Sequence, residues 1–153
     1  MDIQMQSATI GAWSGNWAWS LPIIVLNVMI HVTVLAFVNE KLDGVMSGVV
    51  GRRGRMPRFA LVMGATTLLA TMLHGIEAFI WAAAYRALDS LPDYKSAMLY
   101  SLSAMTSYGH ANLYLDPQWQ MMGALEALNG MLLLGLTTAF LFSMIRKISQ
   151  APG

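Results

Sequence analysis

The chain has 153 residues, of which 56% are hydrophobic and 11% charged, with a net charge of +1 and no cysteine. A soluble domain carries about a quarter of its residues as charges, so this composition, with a mean hydropathy of +0.53, puts the chain in a bilayer. The small net charge argues against nucleic acid or an acidic partner, and the missing cysteines exclude disulfides, iron–sulfur clusters and thiol catalysis.

Residues 1–16 hold no positive charge, the first lysine being Lys41, so this extracytoplasmic segment is not expected to be a cleaved leader, whose first part is basic. Residues 17–38 are an apolar run about as long as one bilayer crossing at about 1.5 Å per residue, with Pro22 expected in the opening turn, where a missing N–H is tolerated. A loop at 39–58 carries Lys41, Arg52, Arg53, Arg55 and Arg58. The next apolar run, 59–88, follows Pro57 and is interrupted by His74, Glu77 and Arg86. Residues 96–105 are apolar but too short to cross, and lead at once into polar residues 106–112. That pattern predicts a re-entrant helix and loop, which a bilayer tolerates only where protein or water satisfies the backbone. Residues 121–145 form the third crossing, apolar except for Glu126 and Asn129, and 148–153 are a short tail. The expected fold is an all-α polytopic membrane protein with three transmembrane helices and one re-entrant helix.

Orientation follows from basic residues. The 39–58 loop and the carboxyl end, with Arg146 and Lys147, hold most of them, whereas Arg86 and Lys95 are alone on the other side. The positive-inside rule makes the loop and tail cytoplasmic and the amino terminus external. The second helix then runs outward, the re-entrant segment enters from outside, and the third helix returns.

The segment Thr106-Ser107-Tyr108-Gly109-His110-Ala111-Asn112 sits between the short re-entrant helix and the third crossing. A cation leaves water only if other oxygens replace its hydration shell, which backbone carbonyls at the carboxyl end of a short helix can do. Glycine supplies the left-handed states that turn successive carbonyls, at a saving of about 1–2 kcal/mol over other residues. Gly109 has that freedom and Ala111 lacks it. Ser107 offers a hydroxyl, and Tyr108 and His110 require their own packing behind the loop.

The segment aligns without a gap to Thr-Thr-Val-Gly-Tyr-Gly-Asp, the filter of pore-loop potassium channels. Thr106 and Gly109 are kept, Ser107 and Asn112 are close substitutes, and Tyr108, His110 and Ala111 depart. Residues 59–147 as a whole resemble the pore module of small bacterial two-transmembrane potassium-channel-like proteins with one extra helix in front. The stretch from Gly123-Ala-Leu-Glu-Ala-Leu-Asn-Gly130 to Phe142 is similar to their inner helix. The resemblance implies a homotetramer around a central pore, potassium or sodium as permeant ions, a bacterial cytoplasmic membrane, and no cofactor. Because the departures fall on selectivity-defining positions, weak selectivity is expected. The alternative is a non-conducting membrane subunit or small transporter on the same scaffold, which Ala111 favours.

The remaining polar residues have plainer readings. Glu126 is expected to be a buried acid hydrogen-bonded to the back of the loop, with Asn129, His74 and Glu77 as further buried support. His74 and Glu77 share a helix face at i, i+3; with His31 and Glu126 they suggest a metal cluster. The paired Glu-x-x-His motif of bundle di-metal sites is missing, however, so an interhelical polar contact and no metal are expected. Gly130 stands where an inner-helix hinge falls, or where helices pack closely. Trp13, Trp17, Trp19, Trp81 and Trp119 read as interfacial anchors. No nucleophile or ligand set points to an enzyme.

Overall fold

The computed structural model describes residues 2–47, 55–109 and 112–149. His110 and Ala111 of the filter-like segment and Arg52 and Arg53 of the basic loop lie outside them. Every regular element among the described residues is helical: α1 (Asp2–Ser47), α2 (Arg55–Ala87), α3 (Tyr94–Met105), a 3₁₀ turn (Pro117–Trp119) and α4 (Gln120–Ser149). Three stretches, Trp13–Lys41, Phe59–Ala87 and Pro117–Lys147, are long and apolar enough to cross a membrane. The chain is thus an all-α, multi-pass membrane protein.

Polar pairs fix how these helices run. Asn16 donates from Nδ2 to the Gln118 carbonyl at 2.6 Å and accepts at Oδ1 from the Met122 N–H at 2.8 Å. At the far end Lys147 Nζ donates to Asn39 Oδ1 at 2.8 Å, so α1 and α4 lie side by side and parallel. Contacts of Tyr85 with Glu126 and of His74 with Thr137 run the other way along the chain, which makes α2 antiparallel to α4. Helix α3 packs against both α2 and α4. Trp81, Tyr85, Ala97, Met105, Met122 and Leu133 form the core among them.

Two features depart from the sequence reading. Helix α1 begins well before residue 17, so Pro22 lies inside the helix rather than in its opening turn. Its missing N–H leaves the Ala18 carbonyl without the usual i→i−4 donor, a single loss in an otherwise continuous ladder. Trp81 is fully buried and is a core residue rather than an interfacial anchor, because its face of α2 is the one covered by α3 and α4. Trp13, Trp17 and Trp19 are exposed.

Helix ends are closed by local chemistry. Asp89 (φ 50°) and Ser107 (φ 55°) are the left-handed residues after α2 and α3. After α2, Ser90 N–H reaches the Tyr85 carbonyl at 3.0 Å and Asp89 N–H reaches that of Arg86 at 3.2 Å. After α3, Tyr108 N–H reaches the Ser103 carbonyl and Ser107 N–H that of Ala104, both at 3.0 Å. Both are Schellman closures built without glycine. Arg86 also donates to the Leu91 carbonyl, bracing the turn that leads to α3. That helix starts at Asp93, whose Oδ1 accepts from Ser96 N–H at 2.9 Å and Oδ2 from Ser96 Oγ–H at 2.8 Å.

The carboxyl end of α3 meets the middle of α4. A Cβ on Gly130 would overlap the Met105 carbonyl oxygen and stand 2.6 Å from Met105 Cα, so the two backbones touch. Close packing is therefore a sufficient reason for glycine at 130. On the outer faces, only 17–28% of each span's most apolar window is buried, so lipid or neighbouring chains must cover the rest.

Gly130→Ala should lower stability by about 1–3 kcal/mol, the usual effect of overpacking. Gly135→Ala, whose Cβ meets nothing within 4 Å, should not, as read by thermal denaturation of both variants in detergent. A second expectation concerns pH. The backbone and side-chain hydrogen bonds from Ser96 hold the Asp93 carboxyl below its ordinary 3.8. A depressed folded value means that its stabilisation is full above 3.8 and fades as pH falls through the lower folded value. The melting-temperature gap between the parent and Asp93→Ala should therefore be constant above about pH 5 and shrink towards about pH 3.

Candidate functional site

The chain leaves α3 through Thr106, whose Oγ1–H donates to the Leu102 carbonyl at 2.7 Å. Ser107 and Gly109 have φ of 55° and 75°, while Tyr108 between them is not left-handed. This is an alternating backbone in a segment that contains one glycine among its described residues. A serine held left-handed costs about 1–2 kcal/mol, and such strain persists only where the surroundings over-determine it. Thr106, Ser107, Tyr108 and Gly109 are all exposed, Tyr108 at 84%. Between this loop and α4 lies a crevice of about 580 Å³ whose walls include Ser107, Gly109, Tyr114 and Ala127. Asn112 begins the return, and Leu115 is buried against Gly123 at the start of α4.

Behind the loop sits a buried polar layer. Glu126 is fully buried, and its Oε2 accepts from Tyr85 O–H at 2.7 Å. Tyr85 in turn stacks edge-on with Tyr100 of α3 at 5.4 Å between ring centres. Glu126 therefore supports α3 through two tyrosines rather than by bonding the loop. Asn129, one turn on, is fully buried, and neither of its amide atoms finds a hydrogen-bond partner among the described residues. Unpaired buried groups cost about 1–3 kcal/mol each.

Deeper along α2 a second polar cluster joins three helices. His31 of α1 and Glu77 of α2 are completely buried, and His31 Nδ1 is 2.8 Å from Glu77 Oε1. His74 Nδ1 is 3.1 Å from Glu77 Oε2, yet Oε2 receives no aligned hydrogen bond. The opposite ring nitrogens, Nε2 of His31 and Nε2 of His74, each lie 3.1 Å from Thr137 Oγ1 of α4. Asn27, one turn before His31, donates to the Glu77 carbonyl at 3.4 Å. His74 borders a cavity of about 260 Å³ shared with Thr71, Leu102, Met105, Thr106 and Gly130. This cluster therefore lies just under the loop that follows α3.

Of the residues suggested as a polar cluster by their types, His31, His74 and Glu77 come together and Glu126 stands apart with Tyr85. Sequence reasoning missed Thr137, Asn27 and Asn16. A partial signal was present: His31–Thr137 and Asn39–Lys147 pair polar residues of the two apolar segments at the similar offsets of 106 and 108, as parallel neighbours would.

No protein-family model, curated protein or solved structure matches the chain, so its function rests on this geometry and on the residues that build it.

Proposed function

We propose that the chain is the pore-forming subunit of a homotetrameric cation channel of the pore-loop kind, with α2 as outer helix, α3 as pore helix, 106–112 as filter and α4 as inner helix. The observation that carries this reading is the course of the chain after α2. It enters α3 beside the end of α2, reaches the middle of α4 at the Met105–Gly130 contact, and returns through an exposed loop to the start of α4. A short helix ending at mid-span with its carboxyl end towards an exposed loop concentrates negative potential where a cation would shed water. The left-handed states at Ser107 and Gly109 are of the kind that turns alternate carbonyls to one side. Exposed apolar faces and unpaired buried groups in the single chain fit a subunit that is completed by its neighbours and by water in a pore. The basic loop and tail face the cytoplasm in this reading, and the membrane is the bacterial cytoplasmic membrane.

Permeation is weakly selective. Ala111 disfavours a left-handed state by about 1–2 kcal/mol per subunit relative to glycine, and four copies repeat that penalty around the ring. The outer carbonyl ring is then incomplete, and ion sites remain near Ser107 and Gly109. A non-conducting scaffold subunit is the competing reading. It is favoured by Ala111 and by the Schellman closure after α3, which ties Tyr108 and Gly109 N–H groups to Ser103 as an ordinary helix stop would.

Native mass spectrometry should give four chains per assembly. Reconstituted liposomes should pass potassium and sodium at rates within about tenfold of each other, a difference of about 1.4 kcal/mol. Ala111→Gly combined with His110→Tyr should raise the potassium preference. A monomer would sink the pore reading, tetramers without flux would establish the scaffold reading, and strong potassium selectivity in the parent would refute the account given to Ala111.

A further inference from the structure

We propose that His31, His74 and Glu77 form a binding site for a divalent transition-metal ion of the zinc or cobalt type, held between α1 and α2 and oriented by Thr137 of α4.

Protons are scarce in this cluster. Four short contacts link the ring Glu77–His31–Thr137–His74: two nitrogen–carboxylate contacts at 2.8 and 3.1 Å and two nitrogen–hydroxyl contacts at 3.1 Å. Two neutral imidazoles bring one proton each and the threonine hydroxyl brings one, so three protons face four contacts. Three protons satisfy the three aligned contacts, and the fourth, His74 Nδ1 with Glu77 Oε2, then sets two lone pairs against each other between largely buried groups. A cation between these two atoms would close it.

A metal at the carboxylate face removes the conflict. With both Nδ1 atoms bound to the ion, each imidazole keeps its proton on Nε2. Thr137 Oγ1 has two lone pairs and accepts both N–H groups, which accounts for its equal 3.1 Å distances to the two rings. A metal-bound histidine typically donates its other N–H to such a partner, fixing tautomer and ring orientation. The contact of His74 Nδ1 with Glu77 Oε2, which is not a hydrogen bond, fits the same arrangement, in which both atoms offer lone pairs to the ion.

One ligand atom from each of the three residues lies within 4.8 Å of the other two. An ion about 2.0–2.1 Å from each ligand sets neighbouring ligand atoms about 3.3 Å apart, so the two imidazole–carboxylate contacts, at 2.8 Å to Oε1 and 3.1 Å to Oε2, would open slightly as the three ligands gather around it. Two imidazoles and one carboxylate suit zinc, cobalt or nickel and are unsuited to calcium or magnesium, which prefer all-oxygen sites. Asn27 Oδ1, buried without a partner one turn from His31, is a further acceptor on the same side of α1. Entry is through His74, the one ligand with exposed surface, at 19%, whose side chain borders the cavity beneath Thr106. The site does not depend on the pore reading, since its ligands come from a single chain.

The test is cobalt titration of chelator-stripped, folded protein in detergent. Visible ligand-field absorption and bound metal per chain are followed together, with zinc as competitor. One cobalt per chain is expected, displaced by zinc, with a raised melting temperature. His74→Gln should abolish uptake, and as a partly exposed change it should leave the fold intact. Thr137→Val keeps all three ligands and should weaken binding by about 10–100-fold, as losing an orienting partner does, while Glu126→Gln should change nothing. Folded parent protein that takes up no cobalt would overturn the proposal and assign the closing cation to a proton. Uptake that survives His74→Gln would overturn it equally, by placing the metal elsewhere.

Discussion

The contact on which the rest of the structure depends is the backbone of Met105 against Gly130. Helix α3 can end in the middle of α4 only because residue 130 has no side chain, and every other feature of the loop follows from where α3 ends. Ser107 must turn the chain at that depth, and Ser103 and Ala104 must give up their carbonyls to close the helix. Leu115 must then return to α4 where Tyr100 already crowds Gly123. Two glycines on one face of α4, seven residues apart, therefore receive the two ends of the α3 excursion.

Water is not available to correct a wrong register in a bilayer, so polar pairs carry the alignment that hydrophobic burial cannot. Apolar side chains gain little by choosing one helix neighbour over lipid. Asn16 at one end, Thr137 with the histidines in the middle, and Asn39 with Lys147 at the other end hold α1 beside α4. Glu77 and Tyr85 attach α2 to this pair at two levels about 12 Å apart along the helix, eight residues at about 1.5 Å each. A slip of one residue in any helix would break several of these contacts together.

This explains which parts of the molecule were legible in the sequence. Length and hydropathy identify three crossings, and the short run before Thr106 identifies α3, because those signals depend on a segment's own residues. Pro22 misled: an isolated proline reads as a helix start, whereas a long apolar helix in lipid continues through it. Trp81 misled for a related reason, since an aromatic residue near a predicted helix end looks like an interfacial anchor until the helix that covers it is known. His74 and Glu77 were visible as one face of a helix. Thr137 was not, because threonine is common in membrane helices and nothing in its own neighbourhood distinguishes it from Thr138, which bonds back to Leu134. Its meaning lies in a partner 106 residues away.

The two buried acids have separate partners. Glu126 is joined to α3 through Tyr85 and Tyr100, so any change at that layer is transmitted to the helix that carries the loop. Glu77 is joined to α1 by His31, and both of its histidine partners reach Thr137 of α4; its link to the loop is the cavity that His74 shares with Thr106 and Gly130. A charge held at Glu77 would therefore act on the loop through space, across a low-dielectric gap where fields are poorly screened, whereas Glu126 acts through packing. The layer around Glu126, which joins α2, α3 and α4, and the cluster around Glu77, which joins α1, α2 and α4, can thus be altered independently of each other.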